Sequence, residues 1–223
     1  MSNDSWTNVD AANFYKIANW GDGYFDINPQ GEVVVNIKGK NTKQLSLNEI
    51  AKKAKQFGLS MPLLLRFGDI LQDRVNSIRQ AFQKAKNKYN YAATYIPVYP
   101  IKVNQQRNVM EYLSEAPGGV GYEVGSKPEL MVVMSVPPKG NLPIICNGYK
   151  DEEYVRLALI SQAINKRTII IVDKLNELDL IIKQANKLKI TPRLGVRARL
   201  SSIGRGNWQN TGGEKSKFGL NSS

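Results

Sequence analysis

Lys102 is the residue of this chain best suited to covalent chemistry. In Tyr99-Pro100-Ile101-Lys102-Val103-Asn104-Gln105 it stands at the end of an apolar strand, where a helix should begin. An amine attacks an aldehyde only when neutral, and withdrawal from water favours the neutral form, so a lysine at such a strand end suits Schiff-base formation. The ordinary alternative is an exposed lysine whose stem snorkels to solvent. Glu123, Asn147 with Tyr149, Asp173 and Arg197 also fall at the C-terminal ends of expected strands, where parallel α/β barrels gather their active sites. Polar residues at strand ends are common turn and cap residues too, and Asp173 reads as a helix cap.

What is missing narrows the chemistry further. The chain contains no histidine, which excludes from it a Ser-His-Asp triad, a His-Glu-x-x-His metal helix and any imidazole proton shuttle. Its single cysteine, Cys146, has no partner for a disulfide and no companion cysteine or histidine for zinc, so it reads as a small buried thiol. Reactions here must use lysine, carboxylates, tyrosine or a borrowed cofactor.

The 223 residues, 42% of them hydrophobic, suffice for one domain, or one domain and part of a second. No run approaches the roughly 18 apolar residues of a membrane helix. The segment Met1 to Asp10 is polar and lacks an apolar signal core, so the reading is cytoplasmic with no membrane partner. A net charge of +12 raises nucleic-acid binding through counterion release. Its distribution speaks against that: lysines such as Lys52, Lys53, Lys84, Lys86, Lys183 and Lys187 lie on or beside expected helices as solvated faces, without interleaved aromatic residues.

These candidates need elements to hold them. Tyr24 to Ile27 and Glu32 to Ile37 read as strands joined by the turn Asn28-Pro29-Gln30-Gly31. Ser46-Leu47-Asn48-Glu49 is a capping box opening a helix with Ile50, Ala54 and Phe57, which Gly58 ends. Leu63 to Phe67 is expected as a buried strand and Asp69 to Lys88 as a long amphipathic helix carrying Ile70, Val75, Ile78 and Phe82. Further strands are expected to begin near residues 94, 120, 142, 168 and 193. Ser126-Lys127-Pro128-Glu129 caps one intervening helix, and Asp173 is placed to cap another bearing Leu175, Leu178, Ile181, Ile182, Ala185 and Leu188. Such alternation means parallel strands with right-handed crossovers.

Periodicity does not decide between an open doubly wound sheet and a closed barrel. A dinucleotide site would want its glycines just after the first strand, whereas Gly118, Gly119 and Gly121 precede or open one. A barrel needs eight strand and helix pairs over about 250 residues. Five strands are legible here, or six with Leu63 to Phe67, so the fold class is α/β: a partial (β/α)8 TIM-type barrel, preceded by a short β-hairpin and a helical N-terminal segment. Pro97 and Pro100 each remove a ladder donor, so the strand leading to Lys102 is expected to be interrupted or irregular.

Tyr-Pro-Ile-Lys-Val-Asn-Gln around Lys102 resembles the pyridoxal-phosphate lysine motif of biosynthetic arginine decarboxylases, members of the alanine racemase-like class of pyridoxal-phosphate enzymes. The resemblance extends to Trp20 through Asn28, to Leu63 through Phe67 with Asp69 through Val75, to Gly121 through Lys127 and to Gly213 through Leu220, in the family's order. It covers nearly the whole chain from about Ala11.

The resemblance implies that Lys102 carries pyridoxal phosphate as a Schiff base, that Glu123 and Arg197 help order the cofactor region, and that arginine is decarboxylated to agmatine for polyamine and spermidine synthesis. It also implies a possible role for Mg2+ and a homo-oligomer with shared active sites. On this basis residues 1–20 are a polar leader, 21–45 a hairpin segment of the second, β-rich domain, and 46–223 the N-terminal part of the cofactor-binding barrel. The family's ring-stacking histidine, glycine-rich phosphate loop, carboxylate facing the pyridine nitrogen and second domain find no counterpart before Ser223, and Gly212-Gly213 is no substitute for the loop. The chain is therefore expected to be an N-terminal portion, inactive alone. A decarboxylase of ornithine, lysine or diaminopimelate and a noncatalytic truncated homologue stand as alternatives.

Overall fold

The computed structural model describes residues 5–36, 44–199 and 218–220. Compact units span Met1–Arg74 and Val75–Ser223, with the boundary inside one long helix. No helix among the described residues is long and apolar enough to cross a membrane.

In the first unit, helices α1 (Asn8–Phe14) and α2 (Ile17–Gly21) lie largely within the stretch expected to be a polar leader. Thr7 and Asp10 close a reciprocal capping box on α1, satisfying two of the amides that a helix start leaves without partners. Strands β1 (Phe25–Ile27) and β2 (Val33–Val35) form the expected antiparallel hairpin, Phe25 facing Val35 and Ile27 facing Val33. Asn28 makes the turn, its side-chain oxygen accepting from the amides of Gln30 and Glu32 at 3.1 and 2.9 Å. Ile37, the expected end of β2, lies outside the described residues. A third short strand, β3 (Leu45–Ser46), pairs with β2, and α3 (Leu47–Gln56) follows with Ser46 accepting from the Glu49 amide at 3.2 Å.

The segment Leu63 to Phe67 is not a strand. It pairs with no other strand among the described residues, and Leu64 is 77% exposed. An apolar run of that length fits a buried strand by composition, but without a ladder partner its amides and carbonyls gain nothing from extended geometry. The long helix follows as expected, α4 (Gly68–Lys88).

The second unit contains a five-stranded parallel sheet in the order β4 (Val98–Pro100), β5 (Gly121–Val124), β6 (Pro143–Cys146), β7 (Arg167–Val172) and β8 (Leu194–Val196). Helices α5 (Arg107–Glu115), α6 (Lys127–Ser135), α7 (Glu152–Ala163) and α8 (Leu175–Leu188) provide the crossovers. The spatial order never reverses. With right-handed crossovers, a monotonic order lays every helix on one face of the sheet, as in a barrel, whereas a doubly wound sheet must reverse at a switch point.

Burial follows from that arrangement. On the helix-covered face Tyr122, Val124, Ile144, Cys146, Ile170 and Val172 are buried, as are the helix residues Met110, Leu130, Leu159 and Ile181. Each fully buried aliphatic side chain of this kind contributes about 1.5–3 kcal/mol. The intervening positions Glu123, Ile145, Ile169 and Ile171 are only half-buried and alternate onto the opposite face of the sheet. The Tyr122 hydroxyl donates to the Met110 carbonyl at 3.2 Å, and burial pushes its phenol up to about 12.

Strand β4 is short, as the two prolines lead one to expect, and begins at Val98 instead of near residue 94. It pairs only with β5 among the described residues, so the donor missing at Pro100 disrupts no central ladder.

On α8, Ile181 and Ala185 are buried as the periodicity implies, but Leu175 and Ile182 are exposed at 73% and 48%, while Glu177 and Gln184 take buried positions. Each buried polar side chain has a partner: Gln184 donates to Glu152 at 2.6 Å, and Glu177 gathers the β7–α8 turn.

Candidate active site

At the C-terminal end of the parallel sheet, Lys102, Glu123, Ile145, Asn147, Ile171, Val196 and Arg197 line one cavity of about 470 Å3. Strand alternation explains the selection. Glu123, Ile145 and Ile171 are the residues of β5, β6 and β7 whose side chains point away from the helices, and Lys102, Asn147 and Arg197 sit one or two residues past β4, β6 and β8.

Lys102 occupies a 3-10 turn, Ile101–Val103, between β4 and the approach to α5. Ile101 is fully buried and anchors the turn, and the Tyr99 hydroxyl donates to the Asn104 carbonyl at 3.3 Å. The Asn104 side chain accepts from the Gln106 amide at 2.9 Å just before the helix starts. Lys102 is exposed, not partly withdrawn from water as a strand-end lysine was expected to be. The cause is its place beyond β4, the edge strand of the described sheet.

Arg197 is held on three sides. Its amide donates to the Val172 carbonyl at 3.0 Å, its carbonyl accepts from Leu220 at 2.8 Å, and its guanidinium carbon lies 4.7 Å from the centre of the Phe218 ring. The Arg197 Nη1 atom is 3.9 Å from Asp173 Oδ2.

Asp173 is not the helix cap that its position suggested. It is 3% exposed, its Oδ1 accepts from the Gly219 amide at 2.6 Å, and the N-cap of α8 is Lys174. The capping work falls to Glu177, whose Oε2 accepts from the amides of Asp173 at 2.8 Å and Lys174 at 3.4 Å. Its Oε1 accepts from the Lys150 amide at 3.2 Å, and the Lys150 ammonium sits 3.4 Å from Oε2 while donating to the Gly148 carbonyl at 2.6 Å. Burial holds the Lys150 ammonium below its ordinary value, with Glu177 opposing that shift.

These loop anchors escaped sequence reasoning. A buried Lys–Glu pair 27 residues apart leaves no local pattern. Tyr154, on α7, spans two strand ends: its hydroxyl is shared between the carbonyls of Val124 and Asn147, both 3.1 Å away, and burial raises its phenol. Asp151, which caps α7 by accepting from the Tyr154 amide at 2.8 Å, was detectable from its position ahead of Glu152 and Glu153.

The structure thus brings Lys102, Glu123, Asn147 and Arg197 to one cavity, and leaves Tyr149 and Asp173 beside it. Gly212-Gly213, Lys215 and Lys217 lie outside the described residues. Cys146 is completely buried, and burial pushes its thiol up to about 12. We expect it to resist Ellman's reagent in the native protein at neutral pH and to react fully after denaturation. A fast native reaction assigned to Cys146 would contradict this burial.

The model of the family described as "Pyridoxal-dependent decarboxylase, pyridoxal binding domain" matches residues 75–223. The biosynthetic arginine decarboxylase of Marinobacter nauticus is 51% identical over 215 residues, covering 94% of this chain and 34% of that protein. That of Xylella fastidiosa is 46% identical over 217 residues, covering 97% and 34%. A crystal structure of the biosynthetic arginine decarboxylase from Campylobacter jejuni superposes with a TM-score of 0.75 at 32% identity, over 85% of this chain and 32% of that one. The chain spans about a third of the length of the curated relatives it matches. With a one-directional parallel sheet, a strand-end lysine in its cavity and a family match across 75–223, this chain belongs to the pyridoxal-dependent decarboxylases, through their pyridoxal binding domain.

Proposed function

We propose that this chain forms the cofactor-holding part of an arginine decarboxylase, a carboxy-lyase converting L-arginine to agmatine and carbon dioxide. The observation that carries the reading is the convergence of Lys102, Glu123 and Arg197 on one cavity. The names of the relatives supply the substrate.

The donor set fits pyridoxal phosphate: a primary amine for its aldehyde, and a carboxylate and a guanidinium to make charge-assisted hydrogen bonds with its polar groups. When bound, the cofactor supplies an electron sink for the pair left on the α-carbon as carbon dioxide departs. Lys102 would hold the cofactor through its Nζ, and the same amine stands where it could deliver a proton to the α-carbon that carbon dioxide leaves. Glu123 and Arg197 fix the orientation of the ring. The isoleucines Ile145 and Ile171 give the cavity apolar flanks that strengthen those polar contacts.

The reading includes a polyamine-synthesis role ending in spermidine, an assembly of several copies with shared active sites and a role for magnesium, which the sequence resemblance implies, and a cytoplasmic location, which is read from the composition. Among the described residues no group of three or more His, Cys, Asp or Glu side chains is placed to hold a metal ion, so no step is assigned to one. Membership of residues 21–45 in a second, β-rich domain belongs to the same reading, supported by the antiparallel sheet β1–β2–β3.

The test is release of labelled carbon dioxide from carboxyl-labelled arginine, using the protein as its native source makes it, supplied with pyridoxal phosphate. Release that depends on the cofactor is expected. Release from ornithine, lysine or diaminopimelate but not arginine would transfer the assignment to that substrate, and release from none would establish a noncatalytic homologue.

A further inference from the structure

We propose that Asp173, together with Phe218 and Tyr149, is a positioning group that aims the Arg197 guanidinium at the cavity. This rests on the pyridoxal-phosphate reading of the site, and adds residues that do not themselves line it.

The Arg197 side chain is 44% exposed, so nothing about burial alone would keep a long, flexible guanidinium at the cavity edge. Geometry does so instead. Its cation lies over Phe218, whose ring stacks on Tyr149 with centres 6.1 Å apart and planes at 28°. Tyr149 in turn faces the Lys174 ammonium at 3.8 Å. The result is a row of cation, ring, ring and cation: Lys174 from the β7–α8 turn, Tyr149 from the β6–α7 loop, Phe218, and Arg197 after β8. Each ring face attracts the cation beside it, and the rings keep the two like charges apart.

Phe218 is itself fastened in place. The neighbouring Gly219 has φ +83°, and a Cβ there would lie 2.9 Å from the Arg197 carbonyl oxygen, so only glycine suits this position. The Gly219 amide donates to Asp173 Oδ1, and the Leu220 amide donates to the Arg197 carbonyl. Asp173 therefore clamps with one oxygen the segment that carries Phe218.

Its other oxygen faces Arg197. Asp173 Oδ2 is buried and accepts no hydrogen bond among the described residues, and Arg197 Nη1 at 3.9 Å is within ion-pair range but too far for a hydrogen bond. A buried carboxylate oxygen without a donor is costly, which biases the nearby guanidinium toward this side of its range. Arg197 is thus pulled by Asp173 and pressed by Phe218. The Lys150–Glu177 pair fixes the backbone of Asp173 from behind, through the Asp173 amide.

The experiment measures pyridoxal-phosphate affinity, by absorbance titration of the apo form of the protein as its native source makes it, in Asp173→Asn, Arg197→Gln and the double variant. Asparagine retains an oxygen for the Gly219 amide and replaces the charged acceptor facing Arg197 with a neutral NH2 donor. We expect Asp173→Asn to weaken cofactor binding about tenfold, and the double variant to bind no worse than Arg197→Gln alone. Losses that multiply in the double variant, or parental affinity in a folded Asp173→Asn, would overturn the proposal. Should Asp173→Asn not fold, Phe218→Leu and Phe218→Tyr replace it: leucine is expected to weaken binding and tyrosine to restore it, and equal behaviour of the two would overturn the proposal. Because the readout is cofactor binding, a protein that binds pyridoxal phosphate yet releases no carbon dioxide from arginine defeats the proposed function while leaving this inference intact. A parent protein that binds no pyridoxal phosphate overturns both.

Discussion

Replacing Lys102 by alanine, in the protein as its native source makes it, is expected to remove both the covalent anchor for the cofactor and the proton carrier beside it. Proton transfer by a positioned side chain alone accounts for about 10²–10⁴-fold in rate, so arginine decarboxylation should fall by more than about 10³-fold. Lys102→Arg should fail almost as badly, because a guanidinium keeps the charge but offers no amine to form the imine. The check is borohydride reduction of the cofactor-loaded parent followed by peptide mapping. The pyridoxyl group should be found on the peptide containing Lys102 and be missing from the alanine variant. A label on a different lysine, or activity in Lys102→Ala within about tenfold of the parent, would dismiss Lys102 from this role. Lys139 is a useful control, since it is exposed in the turn before β6 and does not line the cavity.

The second large effect is on stability. Glu177→Gln should cost about 3–5 kcal/mol, the usual consequence of leaving one member of a buried ion pair alone. The side chains of Lys150 and Glu177 are 1% and 5% exposed, so neither charge has water to fall back on. The glutamine amide would also turn its NH2 group toward backbone amides of Lys150, Asp173 or Lys174, which need acceptors. Lys150→Met should cost less, because the remaining carboxylate keeps those three N–H donors.

The pH dependence has a definite sign. Burial depresses the folded-state value of Lys150 below its ordinary 10.5, so between the two values the unfolded chain binds more protons and unfolding free energy rises with pH. Glu177→Gln removes the charge that opposed this depression, so its deficit should be largest at neutral pH and shrink toward the ordinary lysine value, as Lys150 sheds its proton. Equilibrium denaturation followed by circular dichroism at both ends of that window measures it. A deficit below about 1 kcal/mol at neutral pH, or one that grows with pH, would show that the pair does not secure these loops.

Much of the site was legible because its signals are local. An apolar strand ending in Lys102, a Glu123 between Tyr122 and Val124, and an Arg197 just past a short strand are readable from alternation within a few residues. The Ser46 and Ser126 caps are local in the same way, and both accept the hydrogen bonds their spacing implies. Leu63 to Phe67 misled because a strand is defined by a partner, and composition does not reveal whether one exists. Asp173 misled because its position suits a cap, while a glycine 46 residues away claims its carboxylate.

The same contrast holds for α8. Its apolar spacing was read correctly at Ile181 and Ala185, yet Leu175 and Ile182 turned out exposed and Glu177 and Gln184 buried. Hydropathy ranks a glutamate as a surface residue, and only the amides of the β7–α8 turn and the Lys150 ammonium make its burial favourable.

By itself the sequence determined the alternation of strands and helices, the strand ends that carry Lys102, Glu123 and Arg197, and the absence of imidazole from these 223 residues. All of these depend on residue type and short-range period. Tertiary structure alone decided that the strand order runs one way, that four of the flagged polar residues share one cavity, and that Asp173, Glu177 and Lys150 brace its rim. Those outcomes depend on hydrogen bonds and ion pairs between residues far apart in the chain, whose energies exist only once the sheet has brought them together.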